Sequence, residues 1–209
     1  MSLKAQVGGS FQRELPDAGM MRARCVAVLD LGTHIDKKFP VDDKGRPNRR
    51  HLIQIQFELD QLMEYEGEKK PMMATLRLAL SMNKKASLRK HLESWRGKPF
   101  DEEELKKSGG FDISTILGKP ALLNIQHSSD GQYANITSIN PPMKGSEAAP
   151  QFYPSRFFDL SNPSADVLAT LSANTRQFIA ESEEVKSGQV VLPRLSPAAQ
   201  EAPKGEAGF

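Results

Sequence analysis

Three runs of alternating apolar and polar residues in the first half of the chain limit its fold more than any other feature. They lie at residues 20–31, 51–59 and 71–82. Successive side chains of a β-strand point to opposite faces, so a period of two indicates three strands that each bury one face. The positions expected to share the buried face of the first strand are Met21, Ala23, Cys25, Ala27 and Leu29.

The second strand is expected to bury one face only. Its opposite face carries three polar side chains, Gln54, Gln56 and Glu58. A strand with one polar face is typical of a sheet with one solvated side, so we expect these side chains to be partly exposed. The residues expected to face the core are Ile53, Ile55, Phe57 and Leu59.

After residue 82 the apolar period changes from two to about 3.6, which indicates an amphipathic helix. Asn83 is positioned to cap this helix and Gly97 to end it. Asp101 and Asp112, each preceded by a phenylalanine, are positioned to cap two shorter helical segments. The residues expected on the apolar face of the first helix are Leu88, Leu92 and Trp95.

Two further strands, at residues 119–127 and 133–139, flank the hairpin signal Asp130-Gly131. Three strands, a helical insertion and a hairpin follow one another in the order of an OB-fold, which is a five-stranded, partly open Greek-key barrel. We therefore expect a mainly β protein with an OB-fold-like barrel and a helical insertion between strands 3 and 4. A β-sandwich is the alternative, although five strands are few for that architecture.

Composition divides the chain into four parts. We expect an N-terminal arm at residues 1–18, the barrel at residues 19–145 and a C-terminal extension with a short helix at residues 146–186. Residues 187–209 are rich in Pro, Gly and Ala. Such a segment has too little apolar surface to offset the entropy lost on ordering, so we expect a flexible, partly disordered tail there.

The cysteine content and the length of the apolar runs bear on the location of the protein. Cys25 is the only cysteine, so no intrachain disulfide can form, and a lone cysteine in an apolar strand is typical of a packed core residue. No run approaches the roughly 20 apolar residues that a membrane span needs. We expect a soluble protein of the cytoplasm that does not contact a membrane.

Residue types that carry catalysis or hold metals are scattered along the chain. The four histidines have no second ligand-type residue at metal spacing, and no phosphate-loop, dinucleotide, zinc-protease or hydrolase motif is present. The acidic run from Asp101 to Glu104 is explained as a helix start. We expect no enzymatic activity, no cofactor and no metal, since a nuclease would need clustered carboxylates. The histidines are His34, His51, His91 and His127.

Basic residues concentrate in a long loop at residues 32–50, in the turn near residue 69 and on outward strand positions. The formal net charge is only +2, so a local groove would decide whether the chain binds nucleic acid. An OB-fold binds single strands across its second and third strands and their flanking loops, with aromatic rings as stacking platforms. A solvated surface is the alternative for the charges, and local packing is the alternative for the rings. The candidate nucleic-acid-binding residues are Arg22, Arg24, Lys37, Lys38, Phe39, Arg46, Arg49, Arg50, Tyr65, Lys69, Lys70, Arg77 and Tyr133.

Three blocks of the sequence resemble a family of small bacteriophage and prophage proteins. They are residues 2–33, residues 84–105 with the motif SLRKHLESWRGKPF, and residues 111–139 with FDISTILGKPALLNIQH and YANITSI. The resemblance covers roughly residues 2–160. It implies an OB-fold protein that coats single-stranded DNA during phage replication or recombination in the host cytoplasm. It implies no particular binding residues.

The expected partners follow from this resemblance. They are single-stranded DNA and phage or host replication and recombination proteins. Linked sites strengthen the coating of a strand, which favours a homo-oligomer. The terminal Phe209 is similar to the partner-docking tip of single-strand binders, although Lys204 interrupts the nearby acidic residues. The alternative function is a phage protein-interaction module that docks a replication or recombination partner through residues 151–160, QFYPSRFFDL.

Overall fold

Among the described residues six strands form one sheet, and the mainly β class expected from the sequence is confirmed. A computed structural model of the chain describes residues 14–65, 67–143, 145 and 150–195. The five expected strands are all present, and a sixth short strand was not expected. The strands are β1 (Gly19–Ile35), β2 (Arg49–Tyr65), β3 (Glu68–Ala79), β4 (Pro120–His127), β5 (Ala134–Asn140) and β6 (Arg156–Phe158).

The helices lie in two groups. Between β3 and β4 the chain forms two α-helices and a short 3-10 helix at Ile113–Ile116, and after β6 it forms three short α-helices. None of the described helices is long and apolar enough to cross a membrane. The α-helices are α1 (Ser87–Arg96), α2 (Glu102–Lys107), α3 (Ala165–Thr170), α4 (Ala173–Ala180) and α5 (Glu183–Lys186).

The strands follow the order β3-β2-β1-β4-β5, with every neighbouring pair antiparallel. The sixth strand runs parallel to β1 beside residues 27–29. Since β3 and β5 are the two ends of this order, their close approach means that the sheet curls back on itself. Among the described residues no hydrogen-bonded ladder joins β3 to β5, so the sheet is not closed.

A β-bulge at Val26 changes which residues of β1 share a face. Cys25 pairs with Phe57 and Ala27 with Gln56, so Val26 is the extra residue. One additional residue shifts all later side chains to the other face. Ala27 and Leu29 therefore lie in a second core, and the prediction that they share a face with Ala23 and Cys25 is wrong.

The first core lies between the sheet and α1. It contains the four apolar residues predicted for β2 and the apolar face predicted for α1. The Trp95 indole N–H donates to the Pro120 carbonyl at 2.8 Å, which ties α1 to β4. Gly97 ends α1 in the left-handed conformation, and Asp101 caps α2 as predicted. The cap predicted at Asn83 is wrong, because α1 begins after Ala86 without a side-chain cap.

The second core lies on the opposite face of β1 and β2, where residues 150–195 cover the sheet. Gln54, Gln56 and Glu58 are buried beneath this segment, so the prediction that they are partly exposed is wrong. Their side-chain oxygens accept hydrogen bonds from the covering chain and from β3. Arg77 donates to Gln54, and Arg156 donates to Gln56. The backbone N–H groups of Phe152 and Tyr153 donate to the Glu58 carboxylate.

Both termini of the described chain are anchored. The Pro16 carbonyl lies 2.7 Å from the His127 ring nitrogen, and the Asp17 N–H donates to Gln61. At the other end, Val190, Leu192 and Leu195 pack against the second core. Part of the segment predicted to be a flexible tail, residues 187–195, therefore lies against the second core. The remainder of the predicted arm and tail, including Phe209, lies outside the described residues.

Candidate nucleic-acid interface

The connection between β1 and β2 is an ordered hairpin rather than the irregular loop expected from its prolines and glycines. The Asp36 N–H donates to Asn48, the Asn48 N–H donates to Pro40, and Val41 pairs with Pro47. Residues 36–48 therefore extend the β1-β2 ladder beyond the sheet, and we call them the basic hairpin. Sequence reasoning missed this order because the prolines sit where the ladder needs no N–H donor from them.

Two aspartates hold the backbone of the basic hairpin. The Asp36 carboxylate accepts the N–H groups of Lys38 and Phe39, and the Asp42 carboxylate accepts those of Lys44 and Arg46. These contacts hold the pKa of both carboxyls below the ordinary value, chiefly through the Phe39 N–H at Asp36 and the Arg46 side chain at Asp42. The hairpin backbone is thus hydrogen-bonded by side chains of the hairpin itself.

The basic hairpin presents lysines and an aromatic ring to solvent. Lys37, Lys38 and Lys44 are exposed, and no carboxylate of the described residues lies within 4.0 Å of their amino groups. The Phe39 residue is 56% exposed, and the Lys38 amino group lies 5.5 Å from its ring centroid. An exposed ring among unpaired cations has the chemistry of a base-stacking platform beside phosphate contacts.

The three arginines of this region each have a carboxylate partner. Arg46 pairs with Asp42 at 2.7 Å and Arg50 with Asp36 at 2.7 Å. Arg49 reaches across to Glu183 of α5 at 2.6 Å. The arginine side chains remain about half or more exposed, and exposed ion pairs contribute little to stability, so a phosphate can replace the carboxylate.

Two predicted arginines of β1 lie on the sheet, away from the basic hairpin. The Arg22 side chain pairs with Asp60 of β2 at 2.6 Å. Arg24 is half-buried and donates to the Gly118 carbonyl at 2.9 Å. Arg22 remains half exposed, whereas Arg24 is held against the Gly118 carbonyl.

The predicted residues do not form one continuous groove. Tyr65, Lys69 and Lys70 lie at the far end of β2, which has 17 residues and therefore spans roughly 50 Å. Tyr133 follows the turn between β4 and β5, and β4 ends beside Gly19, at the same far end of the sheet. The thirteen candidates thus separate into a hairpin group, a far-end group and residues of the sheet between them.

The remaining candidate, Arg77 of β3, faces the covering segment. Its guanidinium donates to Gln54 and lies 4.2 Å from the ring centroid of Phe178 in α4. The same ring stacks on His34 with centroids 4.1 Å apart. The Phe178 ring therefore contacts both Arg77 and His34. No sequence signal could have found this contact, because the three residues come from β1, β3 and a distant helix.

A polar cluster ties α5 to the β1-β2 ladder. His51 Nε2 lies 2.6 Å from Asp30 Oδ1, and this hydrogen bond raises the pKa of His51 above its ordinary value. The Thr33 hydroxyl donates to Glu184 at 2.6 Å. The same hydroxyl oxygen lies 3.4 Å from His51 Nδ1. Within the described residues no His, Cys, Asp and Glu side chains are grouped to hold a metal.

Comparison with known proteins adds no relative. No protein-family model, no curated protein and no solved structure matches the chain.

Proposed function

We propose that the protein binds single-stranded DNA, without strong sequence preference, through the basic hairpin. The observation that carries this proposal is the exposed Phe39 ring held by a fixed backbone among Lys37, Lys38 and Lys44. Stacking of a base on an aromatic side chain contributes roughly 1 to 3 kcal/mol and tolerates any base. The lysines supply phosphate contacts that do not depend on sequence.

The strand order supports this proposal. The order β3-β2-β1-β4-β5, with β3 close to β5 and helices between β3 and β4, is the order of a five-stranded Greek-key barrel. We take the fold to be OB-fold-like with a helical insertion. In OB-folds the connection between strands 1 and 2 takes part in binding oligonucleotides. The basic hairpin is that connection.

The resemblance to phage proteins gives the proposal its biological setting. It points to a protein that coats single strands during phage replication or recombination in the host cytoplasm. The alternative, a protein-interaction module that docks through residues 151–160, is less favoured by the structure. Phe158 of that segment is buried, and the Tyr153 hydroxyl donates to the Pro71 carbonyl of the chain's own β3.

The test is to remove the hairpin lysines together. We expect Lys37→Ala, Lys38→Ala and Lys44→Ala in one chain to weaken binding to an oligo-dT, because three phosphate contacts are lost. The slope of log affinity against log salt should become shallower by about 2, since each single-strand contact contributes about 0.7. The melting temperature should stay unchanged, because these side chains are exposed. Fluorescence titration at several salt concentrations measures the binding, and thermal unfolding measures the stability.

A control variant that loses the same number of positive charges separates the effect of a local binding site from the effect of net charge. Lys85, Lys90 and Lys98 are also exposed, and they lie in and beside α1 rather than on the basic hairpin. Their triple alanine variant should bind like the wild type. Equal loss in both variants, or wild-type binding to oligo-dT that is absent or no tighter than to duplex DNA, contradicts the proposal.

A further inference from the structure

The described covering segment leaves the second face of the sheet open at the end opposite the basic hairpin. Arg22 lies on this face, since it contacts Asp60, which is two residues along β2 from the buried Glu58. An open cavity of about 500 Å³ lies here, and we call it the methionine cavity. Two of its side chains, Met20 and Met143, are 56% and 60% exposed. Its apolar lining consists of Met20, Met21, Leu122 and Met143.

The methionine cavity suits an aromatic ring with positive charges beside it. Thioether side chains are flexible, fill irregular space and make favourable contacts with aromatic rings. Asp17 lines the cavity, and Glu14 lies shortly before it in the chain. Both are exposed, and no cation of the described residues lies within 4.0 Å of their carboxylates. The Arg22 and Asp60 side chains of the lining neutralise each other at 2.6 Å.

The basic hairpin presents the complementary groups. Phe39 and Val41 are each 56% exposed, and the unpaired lysines of the hairpin lie beside them. Two of the hairpin aspartates are engaged by arginines, which leaves Asp43 to oppose the lysines. The hairpin extends beyond the sheet, so its ring can enter a cavity on another molecule.

The basic hairpin cannot reach the methionine cavity of its own copy. Asp60 of the lining and Arg49 at the base of the hairpin both lie on β2, roughly 35 Å apart at about 3.3 Å per residue. The occupant that matches the cavity is therefore the hairpin of a second copy.

We propose that the basic hairpin of one copy docks into the methionine cavity of a second copy. The Phe39 ring lies among the methionines, and the hairpin lysines lie beside Asp17 and Glu14. A contact between two different surfaces is heterologous. Each pair of copies still offers one free hairpin and one free cavity, so repetition builds an open row of copies.

This contact regulates the proposed DNA site. It uses the same ring and lysines that we assign to single-stranded DNA, so a strand and a second copy exclude each other on the hairpin. The regulation rests on the proposed function, whereas the contact between copies does not.

The first experiment measures self-association of the full-length chain by sedimentation velocity. The weight-average sedimentation coefficient of the wild type should rise with protein concentration and fall at high salt, because salt screens exposed charges. Phe39→Ala and Met143→Glu should each sediment as a single copy. Val191→Glu is the control, since Val191 is 81% exposed and belongs to neither surface, and it should associate like the wild type.

Mixing the two variants tests the head-to-tail geometry. Phe39→Ala keeps an intact cavity and Met143→Glu keeps an intact hairpin, so an equimolar mixture should form a dimer and nothing larger. A mixture that stays monomeric overturns the contact. If Met143→Glu is unfolded by circular dichroism, Met143→Ser replaces it, and unfolding of the serine variant as well overturns the cavity as a docking surface.

The second experiment adds a short oligo-dT of about 8 nucleotides, which fills one site. It should return the wild type to single copies. Met143→Glu should bind this oligonucleotide like the wild type in dilute protein. At the midpoint of self-association it should bind about twofold tighter, because half of the wild-type hairpins are then occupied.

The outcomes distinguish this inference from the proposed function. A wild type that stays monomeric while its DNA binding depends on the hairpin lysines overturns the contact alone. Self-association that both variants lose, without any binding of oligo-dT, supports the contact and overturns the proposed function. Rows of copies that persist with saturating oligo-dT overturn the regulation.

Discussion

At the scale of single residues, Gly32 decides how closely α5 approaches β1. Its φ is +75°, in the left-handed region that favours glycine. A Cβ atom at this position would lie 2.5 Å from the Ser182 Cβ and 2.7 Å from a Leu160 methyl carbon. The missing side chain leaves room for Glu184 to accept both the N–H and the hydroxyl of Thr33.

We predict that Gly32→Ala destabilises the protein by about 2 to 5 kcal/mol, the sum of backbone strain and overpacking. Gly45 is the matched control, because its φ is +73° and a Cβ atom there would meet no atom within 4 Å beyond its chain neighbours. Gly45→Ala should cost only about 1 to 2 kcal/mol of backbone strain. Urea unfolding measures the loss in free energy of unfolding for each variant. Equal losses in the two variants would show that movement of α5 relieves the crowding at Gly32.

Cys25 shows what a local pattern can predict about one residue. Its position in an apolar run indicated a packed core residue, and the side chain is fully buried. Burial raises the pKa of the thiol to about 12, so the thiolate is not formed near neutral pH. The local pattern was enough to predict burial of Cys25, because both faces of β1 are buried and a side chain on either face is packed.

At the scale of elements, His51 links the docking of α5 to protonation. Its ring nitrogens lie 2.6 Å from Asp30 of β1 and 3.7 Å from Glu184 of α5. The pKa of His51 is raised above its ordinary value of 6.5, first by the hydrogen bond to Asp30. A charged His51 between two carboxylates therefore holds α5 on the β1-β2 ladder more strongly than a neutral one.

The sign of the pH dependence follows from this shift. Since the folded pKa is higher than the unfolded pKa, the stability that His51 contributes is fully present below about pH 6.5 and is lost as pH rises through the folded pKa. We predict that the stability difference between wild type and His51→Gln shrinks as pH rises from about 6 to 8.5. Thermal unfolding across this range checks it; a difference that stays constant or grows rules out a protonated His51 as the link.

The elements also show where sequence patterns stop being informative. Alternation placed β1 correctly, but it could not reveal the bulge at Val26, because both Val26 and its neighbours are apolar. The basic hairpin was missed for a related reason. Its order comes from hydrogen bonds to Asp36 and Asp42 rather than from an apolar period.

At the scale of the whole molecule, the sheet has a core on each face. The first core packs against α1, and the second lies beneath residues 150–195. The second core includes Leu29 and Leu31 of the central strand β1. Because one strand contributes to both cores, we expect the sheet and the covering segment to unfold together.

We predict that Phe158→Ala destabilises the whole protein by about 3 to 5 kcal/mol, the cost of a cavity at a fully buried aromatic. Phe158 is 1% exposed, and its neighbour Phe157, which is 40% exposed, is the control. Phe157→Ala should cost less than about 1 kcal/mol. Circular dichroism and tryptophan fluorescence should report a single coincident transition in both variants. Two separate transitions would show that the covering segment folds independently.

The amino-acid sequence by itself determined the positions of the five main strands, the apolar face of α1 and the concentration of positive charge before β2. Each of these depends on the period or composition of a short stretch. The tertiary structure decided what covers each face of the sheet and which cations stay without a carboxylate partner. Arg49 and Arg77 owe their surroundings to residues more than one hundred positions later, and no local period encodes such a contact. The sequence placed Phe39 among basic residues, and only the tertiary structure showed that its ring is exposed on an ordered hairpin.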